Sequence, residues 1–128
     1  MNSNKDLGIG QATAFAFAKN GIKKLALTDV NRTTLLATAT AIRAEFPAVE
    51  IESMELDVRD EKAVESSVAA AVKKFGRIDI GVNVAGIGGA GKTTDASEET
   101  DWAKVIDINL NGVWRSQRAQ LRVMLKQE

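Results

Sequence analysis

Two glycines and one carboxylate have the residue types and the spacing of a dinucleotide site. Gly8-Ile9-Gly10 stands before a helix-forming stretch, and a helix N-terminus offers unpaired N–H groups and a partial positive charge to a pyrophosphate. Asp29 ends the next apolar run, roughly 20 residues further on, where a carboxylate can hydrogen-bond the ribose hydroxyls of NAD. Each feature also has a plain structural interpretation, as a tightly packed turn and as an exposed residue before Asn31. Together, Gly8, Ile9, Gly10 and Asp29 predict a nucleotide site.

A second stretch fits a different phosphate-binding pattern. Gly86-Ile87-Gly88-Gly89-Ala90-Gly91-Lys92-Thr93 satisfies G-x-x-x-x-G-K-[ST], in which Lys92 would reach the terminal phosphates and Thr93 would hold magnesium. A P-loop helix should begin at Gly91, yet helical periodicity resumes only near Glu98. The pattern therefore favours a variable glycine-rich loop, and a P-loop nucleotidase stays as the weaker alternative.

Composition excludes several kinds of chemistry. The 128 residues are enough for one domain, 1–128, and they contain no cysteine and no histidine. No thiol nucleophile, imidazole base or transition-metal site is therefore expected. The formal net charge is zero and the pI is about 6.3, which argues against a nucleic-acid or membrane partner. Because there is no leader-like or membrane-length apolar segment, we expect a soluble cytoplasmic protein.

Helical and strand patterns alternate along the chain. Predicted helices cover 11–20, 35–46, 64–75 and 98–126, and predicted strands cover 24–28, 49–56 and 78–84. Strands that alternate with helices require βαβ crossovers and therefore a parallel sheet with helices on both faces. The predicted fold class is α/β, a partial Rossmann-type doubly wound parallel sheet.

Four segments in this order resemble the cofactor-binding half of the short-chain dehydrogenase/reductase family. Gly8 to Ala14 is similar to the family's glycine turn and first helix, and Leu56-Asp57-Val58 to the end of its third strand. Ile78 to Gly86 is similar to the fourth strand with its N-N-A-G motif, and Trp102 to Val113 to the start of the fifth major helix. Each motif alone is weak, but the four together span nearly the whole chain.

The resemblance implies a role for particular residues. Asp57 and the backbone at Val58 would hold the adenine, and Asn109 takes the position of the family's catalytic asparagine. Asn83, Ala85 and Gly86 stand at matching positions of the N-N-A-G motif and would border the cofactor. The implied reaction is NAD(P)-dependent hydride transfer between an alcohol or carbonyl and the nicotinamide. NAD is favoured over NADP, because the carboxylate at Asp29 would repel a 2′-phosphate.

The chain departs from the family pattern at several positions. Ser3 and Asn4 replace the first two residues of the glycine turn, and Val84 replaces the second Asn of N-N-A-G, which we interpret as a tolerated change. The sequence holds no tyrosine, and it ends at Glu128, before the family's catalytic Ser and its Y-x-x-x-K are expected. We therefore expect a chain truncated at both ends that is inactive alone, since its acid–base pair is lacking.

The first strand of the doubly wound order should lie between the second and the fourth. Met1 to Leu7 is too polar and too short for that strand, so the isolated chain is expected to be poorly folded or held by a partner. A non-catalytic nucleotide-binding or subunit-interaction remnant is the alternative function. A small alcohol or carbonyl substrate is expected only for a full-length chain.

The helix predicted over 98–126 carries two further expectations. It is a possible homo-oligomer contact, as in the family that the chain resembles. Its basic residues are interpreted as a solvated face without a dedicated acidic partner; they are Arg115, Arg118, Arg122 and Lys126.

Overall fold

The computed structural model describes residues 8–127, so the predictions for Ser3, Asn4 and Met1 to Leu7 lie outside the described residues. Two strands and five α-helices follow one another along the chain. They are α1 (Ile9–Lys19), β1 (Lys24–Asp29), α2 (Arg32–Glu45), β2 (Glu50–Glu55), α3 (Glu61–Phe75), α4 (Glu99–Ile106) and α5 (Val113–Met124). A short 3₁₀ turn, Thr94–Ala96, precedes α4, and a π-helical segment, Asp107–Gly112, joins α4 to α5.

Local capping residues determine where the helices begin and end. The side chain of Asn31 accepts a hydrogen bond from Thr34 N at 3.1 Å at the start of α2, and Asp60 accepts one from Ala63 N at 3.0 Å at the start of α3. Helix α3 ends at Gly76, whose φ of 88° is the left-handed conformation that glycine adopts without strain. A capping box between Glu98 and Asp101 begins α4.

The sheet is a parallel pair in which Leu25 lies opposite Ile51 and Asp29 lies opposite Glu55. Helices α1 and α2 cover it through an apolar cluster in which Ala39 and Ile42 are completely buried. A second cluster joins α3 and α5 to the end of β2; it consists of Leu56, Val64 and Ala119 with the half-buried Val58, Ala63 and Val68. The α/β Rossmann-type prediction is therefore confirmed, with two strands paired among residues 8–127.

The prediction of a third strand over 78–84 is wrong. The segment has no strand pairing, and its apolar residues Ile80, Val82 and Val84 are 55%, 44% and 47% exposed. A strand needs a neighbouring backbone to form a ladder, and no other part of residues 8–127 pairs with this stretch. Its apolar, alternating composition is that of a sheet strand, but composition alone does not supply the partner.

The long helix predicted over 98–126 is present but interrupted. The π-helical segment Asp107–Gly112 separates α4 from α5, and hydrophobic periodicity does not reveal a π-turn because the chain stays helical through it. Trp102 on α4 and Trp114 on α5 are both exposed. Of the helices in residues 8–127, none combines the length and the apolarity needed to cross a bilayer.

Candidate nucleotide-binding site

The N-terminus of α1 has the geometry of an anion site. Gly8 is the N-cap residue in an extended conformation, and no side chain of residues 8–127 caps the helix. The first turn contains no acidic residue that would repel an anion, and Gly8 and Ile9 are exposed. Among residues 8–127 the N–H groups of this turn have no side-chain partner, so these groups and the positive end of the helix dipole suit a phosphate.

Gly10 lies against the end of the 78–84 segment. A Cβ atom built on Gly10 would come within 2.9 Å of Val84 Cγ2, so a larger residue would push the two segments apart. The glycine at this position therefore has a packing role. Val84, which replaces an Asn of the family motif, contacts the start of α1 directly.

Asp29 and Asp57 lie at the carboxyl ends of neighbouring parallel strands, as predicted. Asp29 is the last residue of β1 and is exposed, and its Oδ1 accepts a hydrogen bond from Asn31 N at 2.7 Å. Asp57 follows β2 by two residues, and Leu56 N donates to Asp29 O at 2.9 Å, which ties the two strand ends together. Ligands of open α/β sheets bind outside this edge.

Asp57 carries a partner that sequence reasoning missed. Arg59 Nε lies 3.0 Å from both carboxylate oxygens of Asp57, and Arg59 Nη2 lies 2.5 Å from Oδ2. These hydrogen bonds are the main cause that lowers the pKa of Asp57, so the carboxylate stays ionised and can act only as an acceptor. The two-residue spacing Asp57-x-Arg59 was the available signal. Arg59 therefore belongs with Asp57 to the loop that follows β2, residues 57–59.

Asn109 lies on the π-helical segment and is tied to the glycine-rich loop. Its Oδ1 accepts from Ile87 N and its Nδ2 donates to Ile87 O, both at 2.9 Å. A Cβ on Gly86 would lie 3.3 Å from Asn109 Oδ1, so glycine leaves room for this close approach. Ala85 and Gly86 are exposed beside it. Asn109 therefore holds the loop that follows the 78–84 segment.

Asn83 is engaged by α5. Its Nδ2 donates to Gln120 Oε1 and its Oδ1 accepts from Gln120 Nε2, both at 2.9 Å. This reciprocal amide pair uses the polar atoms that were predicted to border the cofactor. The structure therefore gives Asn83 a role in docking its segment onto α5.

The glycine-rich loop lacks the features of a P-loop. Lys92 Nζ lies 2.9 Å from Asp101 Oδ2, and this hydrogen bond is the main cause that lowers the pKa of Asp101. The next α-helix begins at Glu99 with acidic residues in its first turn, which disfavour phosphate there. Within residues 8–127, no group of three or more metal-ligating side chains comes together.

The basic residues of α5 were predicted to form a solvated face, and that interpretation is wrong for two of them. The Arg115 side chain is 18% exposed and bonds Asp107, and the Arg118 side chain is 27% exposed and pairs with Glu61. Arg122 pairs with Glu65 at 2.9 Å. The signal was present in the sequence, because the four-residue spacing of the two acids on α3 matches that of their arginine partners on α5.

Comparison with known proteins identifies the family. The family described as Enoyl-(Acyl carrier protein) reductase matches residues 4–128. Levodione reductase from Leifsonia aquatica is 38% identical over 120 residues, which cover 94% of this chain and 45% of the relative. A chanoclavine-I dehydrogenase from Claviceps purpurea (strain 20.1) is 38% identical over 91% of this chain and 47% of its own length.

The solved structures agree with this relationship. The crystal structure of levodione reductase superposes with a TM-score of 0.87 at 38% identity, over 91% of this chain and 45% of that protein. The structure of NAD⁺-bound xylitol dehydrogenase gives a TM-score of 0.85 at 35% identity, over 91% and 44% of the two chains. The chain thus spans slightly less than half the length of these proteins, and it belongs to the short-chain dehydrogenase/reductase family of oxidoreductases.

Proposed function

We propose that residues 8–127 form the cofactor-binding part of an NAD-dependent short-chain dehydrogenase/reductase, which transfers hydride between an alcohol or carbonyl and the nicotinamide. The observation that carries the proposal is the exposed Asp29 carboxylate at the end of β1, where Rossmann-type proteins hold the ribose, in a chain whose α1 begins at the N-cap residue Gly8. Solved relatives hold either nucleotide: one is xylitol dehydrogenase with NAD⁺, another an alcohol dehydrogenase from Thermococcus sibiricus with 5-hydroxy-NADP. The Asp29 carboxylate favours NAD.

The described residues fit such a cofactor. The open first turn of α1 would hold the pyrophosphate, and Asp29 would accept hydrogen bonds from the ribose hydroxyls. Asp57, kept ionised by Arg59, would accept from the adenine amino group. When bound, the nicotinamide would supply or accept the hydride.

Proton transfer is a separate requirement. Short-chain dehydrogenases use a tyrosine for it, and residues 1–128 contain none. The polypeptide of this sequence is therefore proposed to bind the cofactor without turning over a substrate by itself, and the substrate acted on by a whole enzyme is an alcohol or carbonyl compound.

Contact between copies through the 98–126 helix is a further part of the proposal. Trp114 and Leu121 on α5 and Leu125 just after it are exposed and line one shallow pocket with Gln117 and two arginines. Exposed apolar side chains that cluster in this way are typical of contact surfaces. Sedimentation equilibrium tests this part: Leu121→Glu should shift a dimer to monomer, and a monomeric parent chain would contradict it.

Titration with NADH and NADPH, followed by the fluorescence of the reduced nicotinamide, tests the cofactor proposal. The parent chain is expected to bind NADH about tenfold or more tightly than NADPH, because Asp29 repels the 2′-phosphate. Asp29→Asn keeps an oxygen for Asn31 N but removes the charge, so it should narrow that preference severalfold. Asp95→Asn, an equal change of charge in the 3₁₀ turn, is the control and should leave the preference for NADH over NADPH unchanged. Failure of the parent chain to bind NADH would refute the proposal.

A further inference from the structure

Arg115 joins two parts of the molecule that the proposed function places at the two ends of the cofactor. Its Nη2 donates to Asp107 Oδ1 at 2.7 Å, at the start of the π-helical segment that carries Asn109. Its Nη1 lies 3.3 Å from Val58 O, a backbone carbonyl of the 57–59 loop. The proposed function puts this loop beside the adenine, so we call it the adenine-side loop. One guanidinium thus contacts both the segment of Asn109 and the loop of Asp57.

The π-helical geometry increases the importance of this contact. In a π-segment the backbone hydrogen bonds run from i to i+5 in place of i to i+4, and a carbonyl oxygen can accept a second hydrogen bond from a side chain. Arg115 Nη1 lies 3.4 Å from Asp107 O and thus supports the backbone at the point where the helix changes its winding. Because the Arg115 side chain is only 18% exposed, these hydrogen bonds are partly shielded from water.

A close packing contact holds the same two elements together. Gly112, the last residue of the π-helical segment, is buried, and a Cβ built on it would lie 2.6 Å from Val58 Cγ2 and 3.0 Å from Val58 Cβ. The helix can approach the loop this closely only because residue 112 has no side chain. Two independent features therefore fix the distance between the loop and the π-helical segment. They are the hydrogen bonds of Arg115 and the close approach of Gly112 to Val58.

We propose that Arg115 is a positioning residue that holds the adenine-side loop, residues 57–59, against the π-helical segment and thereby keeps Asn109 bonded to Ile87. One consequence of this inference rests on the proposed cofactor function. It is that nucleotide binding at the loop and the placement of Asn109 are coupled through Arg115. A planar guanidinium suits this position because it donates to a carboxylate and to carbonyls on two elements at once. A lysine has one nitrogen and can reach fewer of these acceptors together.

Hydrogen exchange of the Ile87 amide, measured by NMR on the whole chain, tests the positioning directly. This amide donates to Asn109 Oδ1, so its exchange rate reports whether Asn109 is in place. Arg115→Met should raise its exchange rate and should weaken NADH binding about tenfold. Arg115→Lys should recover only part of both effects. Arg122→Met removes an arginine from the same helix whose partner is Glu65 on α3, and it should leave both values unchanged.

The outcomes separate this inference from the cofactor proposal. If Arg115→Met leaves the exchange rate of Ile87 at the parent value, Arg115 does not position Asn109 and the inference fails, whatever happens to NADH binding. If the parent chain does not bind NADH, the cofactor proposal fails while the exchange rate still decides the positioning role. Should Arg115→Met lose its helical circular dichroism, Arg115→Lys decides: raised exchange at Ile87 supports the inference, and unchanged exchange overturns it.

Discussion

The β1–β2 half of the molecule and the 78–87 segment both contain apolar stretches with the composition of a strand, yet they are stabilised differently. In the first, a parallel ladder pairs the two strands, and α2 buries Ala39 and Ile42 completely against them. In the second, side-chain amides hold the backbone. Gln127 binds both backbone polar groups of Ile78 at 2.8 and 2.7 Å, and Asn109 does the same at Ile87.

This difference shows how a stretch with strand composition can be ordered without a sheet. A side-chain amide presents N–H donors beside a carbonyl acceptor, so a glutamine or an asparagine can satisfy a backbone N–H and C=O together. The amides do not cover apolar side chains, and Ile80, Val82 and Val84 remain exposed. The ladder region depends on its core, and the 78–87 segment depends on a few polar contacts with α5 and the π-helical segment.

The largest expected effect tests the core of the ladder region. Ile42→Ala should lower the free energy of unfolding by about 2–5 kcal/mol, because Ile42 is completely buried and truncation leaves a cavity. Ile80→Ala, the matched change in the exposed segment, should cost about 0.5 kcal/mol or less. Urea denaturation followed by circular dichroism measures both. Equal losses would show that the two regions do not differ in burial.

Gly112→Ala tests the close approach between the π-helical segment and the 57–59 loop that follows β2. Helix propensity alone would make this change stabilising by up to about 1 kcal/mol. The 2.6 Å contact with Val58 instead predicts a net loss of about 1–3 kcal/mol in the free energy of unfolding. Gly88→Ala, where a Cβ meets nothing within 4 Å, is the control and should cost little. Thermal melts measure the change, and a higher melting temperature for Gly112→Ala than for the parent chain would refute the tight contact.

Removal of the side-chain amide of Gln127 should have a smaller and more local effect on stability. Gln127→Ala breaks both hydrogen bonds to Ile78 and should cost about 1–2 kcal/mol, with faster amide exchange at Ile78 and no change within β1. Gln117→Ala, at an exposed position of α5, should change neither value. Unaltered exchange at Ile78 in the Gln127 variant would mean that the amide does not hold the segment.

The smallest effect is a dependence on pH. The hydrogen bond from Arg115 lowers the pKa of Asp107 below its ordinary value of 3.8. A lowered pKa contributes stability that is present above the ordinary value and is lost as the pH falls through the folded-state value. The stability difference between the parent chain and Asp107→Asn should therefore be constant near neutral pH and shrink below about pH 4. Chemical denaturation at several pH values measures this stability difference. A difference that grows on acidification would show that the Arg115–Asp107 pair does not stabilise the folded chain.

Sequence patterns predicted the parts that depend on local rules. The helices and the two paired strands follow from periodicity and capping, and Asp29 and Asp57 were placed correctly at adjacent strand ends. The sequence could not show that residues 78–84 remain unpaired. Strand pairing depends on a distant backbone that the local pattern does not contain. The contacts of Arg115 also join residues far apart in sequence, so the arginine resembled an ordinary surface residue.

The most direct test of the central claim is a residue-by-residue map of NADH binding by NMR. We expect chemical shifts to change at the start of α1, at Asp29, at the 57–59 loop and at Ala85–Gly86, with smaller changes for NADPH. Changes confined to Lys92 and Thr93, or no saturable change in any of these positions, would contradict the claim that the carboxyl edge of this sheet is a nicotinamide nucleotide site.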